Sequence, residues 1–221
     1  MKAVSKIAGF VIAEQTTALS ESVVIELLAK YETLEEAFAA APYRNWEMMI
    51  EAQPLIEAYY RSLREASGYS GAITKSKFEV SQDLRNLNFG GVKNFSNLDH
   101  FSKTVLFRYM RESVQELARN DEASNGAVIF NEIGACTYCR AARLEVLYFA
   151  QRDSKYRGFK NLHDGCRCSL TPVFKGNSFD EVATAGEIKA LGKVEQIQKD
   201  LKISGYDAVL EFLNPSAGSN S

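Results

Sequence analysis

A chain of 221 residues, 46% hydrophobic and 24% charged, is long enough to bury one ordinary core or a core with a smaller satellite. Its formal net charge of −2 argues against a dedicated nucleic-acid-binding surface, which is usually strongly basic. No stretch approaches the roughly 18 apolar residues of a membrane helix. The nearest, Ile7 to Ala13, is ended by Glu14, and no small-residue cleavage site follows it, so the chain reads as soluble and cytoplasmic when made.

Residues 3–66 read as helices. Val23, Val24, Leu27, Leu28 and Tyr31 recur at helical spacing after Ser20 or Ser22, either of which could cap the helix. Thr33-Leu34-Glu35-Glu36 has the form of a capping box and opens an Ala-rich helix expected to stop before Pro42. A longer helix then runs from about Trp46 or Pro54 to Ala66, with Leu55, Ile56, Tyr59, Tyr60 and Leu63 for packing. Aromatic residues such as Phe38, Tyr59 and Tyr60 read as core before they read as a face for neighbouring subunits.

From Ser67 to Asn97, glycine, serine and asparagine accumulate, the mark of a loop-rich connector, with a short strand expected between Thr74 and Val80. Lys75, Lys77, Arg85 and Lys93 read as a solvated basic loop, and His100 as a surface or helix-start residue. Lys103 to Arg119 reads as an amphipathic helix with Val105, Leu106, Tyr109, Met110, Val114 and Leu117 on its apolar face. Asn125-Gly126 makes a turn. Ala127 to Ile133 is β-branched and aromatic enough for a strand, Tyr138 to Ala150 suits a helix, and Ser169 to Phe174 suits a strand paired with Ala127 to Ile133. Helical pieces are expected at Phe179 to Leu191, Val194 to Leu201 and Tyr206 to Leu213. The polar tail from Asn214 to Ser221 has nothing to bury.

All four cysteines fall between Cys136 and Cys168. Cys136-Thr137-Tyr138-Cys139 forms one cluster; His163-Asp164-Gly165-Cys166-Arg167-Cys168 forms the other. Two short soft-ligand clusters separated by a loop are how a chain presents four donors to one tetrahedral zinc ion. Cys136, Cys139 and Cys166 are the first choices as ligands, and His163 and Cys168 contest the fourth place. Two disulfides, free buried thiols, or a redox switch are the alternatives. No H-E-x-x-H and no H-x-E paired with P-C-x-x-C is present, so the zinc reads as structural, one per chain, and the protein as no enzyme. Arg152, Lys155, Arg157 and Lys160 form the densest basic patch, a solvated loop first and a contact for DNA or a partner second.

Cys136-Thr137-Tyr138-Cys139-Arg140-Ala141-Ala142, followed after a loop by Leu162-His163-Asp164-Gly165-Cys166-Arg167-Cys168-Ser169-Leu170-Thr171-Pro172-Val173-Phe174, resembles the C-terminal signature of phage head morphogenesis proteins of the Mu F-like type, closest to the versions from phages of actinobacteria. The match covers roughly residues 105–175, with a looser likeness at Ala52 to Arg64. Leu144 to Tyr148 stands where the family commonly has a Gly-Pro-Val-Tyr-like segment. The resemblance implies a minor capsid protein, made in the host cytoplasm and carried in the virion. Its partners would be other head proteins (major capsid, portal or scaffold) and, as a further candidate, packaged DNA. The competing classes are a nucleic-acid-acting enzyme and a redox-regulated zinc protein. The expected architecture is α+β: a helical region with its connector over 1–100, a zinc-tied α/β module over 101–176, and a helical extension with a loose tail over 177–221.

Overall fold

The chain divides into two units, residues 1–177 and 178–221. The computed structural model describes residues 2–71, 73, 79–130, 146–148 and 166–175, all in the first unit. The segment from Thr74 to Val80, the helical pieces after Phe174 and the tail therefore lie outside the described residues, except for Glu79 and Val80.

Helix α1 runs from Lys2 to Lys30 without interruption. Ser20 and Ser22 are interior positions rather than caps. The hydroxyls of Thr16, Thr17 and Ser20 donate back to the carbonyls of Ile12, Ala13 and Thr17 at 2.7, 3.0 and 2.7 Å. That local pairing lets polar side chains face a helical partner without unmet donors. Helix α2, Leu34 to Ala66, opens on the capping box expected at Thr33 and Glu36, with both reciprocal bonds formed. It does not stop at Pro42. It continues through Pro42 and Pro54, because tertiary contact outweighs the lost backbone bonds, about 3 kcal/mol or more per interior proline. Ala37, Ala41, Met48, Ala52, Ile56, Tyr59 and Leu63 form one buried seam along it. Arg44 ties α2 to α1 through Glu26 at 2.6 Å, and also reaches Glu51 at 2.9 Å.

The connector holds a helix of its own, α3, Gln82 to Gly90, capped by the Ser81 hydroxyl, and then a single 3-10 turn from Val92 to Asn94. Asn88 explains why a segment this polar packs. Fully buried, it donates to the Pro42 carbonyl at 2.7 Å and accepts from Asn45 at 3.3 Å. Arg85 lies over the Trp46 ring at 5.6 Å.

Helix α4 begins at Leu98, five residues before the expected Lys103, and runs to Asn120, with Asn97 as its cap. His100 sits in its first turn against the edge of Phe95. The apolar face expected from Val105 to Leu117 is buried, but so are Ser102, Thr104, Arg108, Arg111, Glu112, Ser113 and Gln115. The helix is therefore central, packed against α1, α2, α3 and the sheet. Two of the pairs it makes are Arg108 with Glu112 along the helix at 3.1 Å and Tyr109 with Gln53 of α2 at 2.8 Å.

Asn125-Gly126 is not the turn. The chain turns earlier, where the Asp121 carboxylate accepts from Ala123 N–H at 3.0 Å and the Asp121 carbonyl accepts from Ser124 N–H at 2.9 Å. Strand β1 then runs from Ser124 to Phe130, with an irregularity between Ser124 and Gly126. Val146 to Tyr148 forms strand β2, antiparallel to β1, where a helix was expected. Cross-strand pairing of Val146 and Tyr148 overrides the helical spacing around them. Strand β3, Ser169 to Phe174, pairs antiparallel with β1 as expected, giving the order β2-β1-β3. Pro172 is admitted because β3 is an edge strand, where a missing N–H costs no ladder bond. The described fold is mainly helical with one small sheet. Its core runs continuously from Ile12 and Tyr60 to Leu170 and Phe174, and so crosses residue 100. Among the described residues no helix is long and apolar enough to cross a membrane.

Burial pushes Tyr59 and Tyr60 well above the usual phenol range, and Tyr109 up to about 12. For Tyr60 the hydrogen bond to Asp121 acts in the same direction. Because these phenols ionise more readily unfolded than folded, their contribution is full below pH 10 and is lost as pH rises from there through the folded values. Stability should fall above pH 10 by up to about 1.4 kcal/mol per pH unit for each tyrosine. Urea midpoints at pH 9, 10 and 11 check this: Tyr109→Phe should fall less steeply than the parent.

Candidate metal centre

Strand β3 is preceded directly by Cys166-Arg167-Cys168. Both cysteines are buried, at 2% and 1% exposure, while Arg167 between them is exposed. Alternation of side chains along an extended segment puts the two sulfurs on one side. They lie close enough to hydrogen-bond each other. That bond, followed by burial, pushes the Cys166 thiol well above the usual thiol range, with the nearby Arg111 charge acting the other way. Two sulfur donors on one side of an extended segment are of the chemical type that zinc takes.

The backbone of this pair is held from α4. Arg111 Nη1 donates to the carbonyls of Cys166 at 3.0 Å and Cys168 at 2.9 Å. Just beyond, Tyr59 of α2 donates to the Leu170 carbonyl at 3.2 Å and lies 3.4 Å from the Thr171 hydroxyl. Helices on both sides thus fix where the strand begins. Nothing in the sequence marks Arg111 for this role. It sits at helical spacing beside the apolar residues of α4, and only the arrival of residues 166–168 makes it significant.

Sheet register decides what else comes near. Ser169 is opposite Phe130, and Val146 is opposite Val128. The chain therefore leaves β1 and re-enters the sheet at β2 at the same end where Cys168 meets β3. Cys136 follows Phe130 by six residues, at most about 20 Å of extended chain. Cys136, Cys139 and His163 themselves lie outside the described residues, as do Arg152, Lys155, Arg157 and Lys160. Among the described residues no group of three or more His, Cys, Asp or Glu side chains is gathered for a metal.

A second charged cluster stands apart. Asp121 accepts from Arg64 Nε at 2.9 Å and Tyr60 Oη at 2.9 Å, as well as from Ala123. Arg64 also donates to the carbonyls of Tyr69 and Gly71 at 3.2 and 3.3 Å. With its carboxylate oxygens committed to protein donors in this way, the cluster joins α2 to the start of the sheet. No protein family, curated protein or solved structure matches the chain.

Proposed function

We propose that the protein is a structural head morphogenesis component of a phage, a minor capsid protein whose small sheet is tied at one end by zinc. The observation that carries the metal half of this reading is the register that brings the Cys166-Cys168 segment to the sheet end bracketing residues 131–145. Cys136 and Cys139 belong to that loop, so both cysteine clusters are tethered within one loop length of each other. Cys136, Cys139 and Cys166 would hold the ion, with Cys168, buried on the same side of the segment as Cys166, or His163 in the fourth place. Zinc would supply a fixed tetrahedral junction to a sheet that, among the described residues, has three strands, the shortest Val146 to Tyr148. Metal binding free energy then becomes folding free energy. The capsid half rests on the motif resemblance, with other head proteins as partners; contact of Arg152, Lys155, Arg157 and Lys160 with DNA belongs to the same reading.

Zinc per chain, measured in protein purified without added metal, tests the first half. One zinc is expected, lost together with thermal stability in Cys139→Ser. No zinc, with two disulfides or reactive thiols instead, would remove the metal. Mass spectrometry of purified particles tests the second half: peptides of this chain are expected in the virion, and nuclease turnover abolished by a single carboxylate substitution would favour an enzyme.

A further inference from the structure

The chain has one tryptophan, Trp46, and it belongs to a cluster of rings shared by α2 and α3. Tyr43 meets the edge of Phe89 at 5.7 Å, Phe89 lies 5.9 Å from Trp46, and the Arg85 guanidinium lies over the Trp46 ring at 5.6 Å. Tyr43, Trp46 and Ile50 are spaced i, i+3 and i+7, so they form one stripe about 10 Å long on α2. Rings in mutual contact usually lie in a core, yet Tyr43 is 68% exposed, Ile50 64% and Phe89 45%. A single exposed apolar residue is ordinary on a protein surface. A contiguous set of exposed rings with an arginine among them has the composition of a binding face.

The charge beside the stripe decides what it accepts. A groove of about 780 Å³ runs between α1 and α2, with Leu27 and Ala40 in its lining and Tyr43 shared with the stripe. Its charged lining sets Glu26, Glu36, Glu47 and Glu51 against Lys30 and Arg44. Arg44 is already engaged by Glu26 at 2.6 Å and Glu51 at 2.9 Å, so the groove keeps an excess of negative charge. That excess repels the phosphates of a nucleic acid. It also opposes a second copy of the chain, which would bring the same carboxylates to a two-fold contact. We propose that this face of α2 and α3 docks a basic amphipathic helix of a partner protein. The apolar side of that helix covers Tyr43, Ile50 and Phe89, while its lysines or arginines reach the carboxylates of the groove. The proposal depends on neither the metal nor the capsid reading.

Trp46 reports on its own surroundings, since it is the chain's only indole. The full chain is titrated with a Leu/Lys amphipathic peptide of about 14 residues, four helical turns, and with a Leu/Glu twin of the same apolar pattern. The Leu/Lys peptide should move Trp46 emission to shorter wavelength and shield it from acrylamide; the Leu/Glu twin should do neither. Ile50→Ser and Phe89→Ser should each weaken binding about tenfold. Glu47→Lys should weaken it too and flatten its salt dependence. All three positions are exposed, so the fold should survive each change, which circular dichroism checks. Ile25→Ser, exposed on α1 and outside the groove lining, should bind like the parent. No response to the Leu/Lys peptide, equal binding of the Leu/Glu twin, or parental affinity in Ile50→Ser and Phe89→Ser would overturn the proposal. So would a concentration-dependent Trp46 shift without peptide that Ile50→Ser abolishes, because the occupant would then be a second copy.

Discussion

Asp121→Ala should lower the folding free energy by about 3–5 kcal/mol, the usual cost of removing one member of a buried ion pair. The carboxylate is 4% exposed and accepts from Arg64, Tyr60 and the Ala123 backbone together. Its loss strands a buried guanidinium, takes an acceptor from a buried phenol and releases the turn that starts β1. The three losses act on one junction, between α2 and the sheet, so they should appear as one cooperative destabilisation. Urea unfolding measures it. The double change Arg64→Met with Asp121→Ala should recover part of the loss, since removing both partners leaves no unpaired charge. A single variant within about 1 kcal/mol of the parent would show that the pair is exchangeable for solvent.

Phe174→Ala should cost about 3–5 kcal/mol, the range for a large aromatic removed from a core. Phe174 is 1% exposed, its ring meets Tyr60 edge-on at 5.6 Å, and Tyr69 lies at 6.0 Å. The strand end it anchors is also held by Lys175 N–H, which donates to the Ala123 carbonyl at 2.8 Å. Phe174→Leu keeps most of the volume and should cost markedly less. Thermal unfolding of the two variants separates cavity formation from loss of the aromatic pair; equal losses would mean that ring contacts, rather than volume, dominate.

What could be read from the residues was whatever is decided locally. Thr33 and Glu36 form their capping box whatever the rest of the chain does, and Ser169 to Phe174 is a strand by composition and pairs where expected. The failures share a cause, which is contact between distant segments. Pro42 stays inside α2 because α1, α3 and α4 hold the helix around it. Asn88 makes a helix of a polar connector by reaching the Pro42 carbonyl. Val146 to Tyr148 gives up helical spacing for a partner strand. Arg108, Arg111 and Glu112 gave α4 a polar face that looked solvated, and burial on every side could not be read without knowing what packs there. For the candidate site, the Cys-x-Cys pair was legible and its anchor Arg111 was not, since 55 positions separate Arg111 from Cys166.

The hydrogen bond from Tyr59 to the Leu170 carbonyl closes a separation of 111 residues. During synthesis the helices α1 to α4 can therefore assemble while the strand that covers Tyr59, Tyr60 and Arg111 has yet to leave the ribosome. Until β3 arrives, the nascent chain carries an apolar trough floored by two tyrosines, with a charged guanidinium at its end. The trough is covered only once Ser169 to Phe174 has emerged and paired with β1.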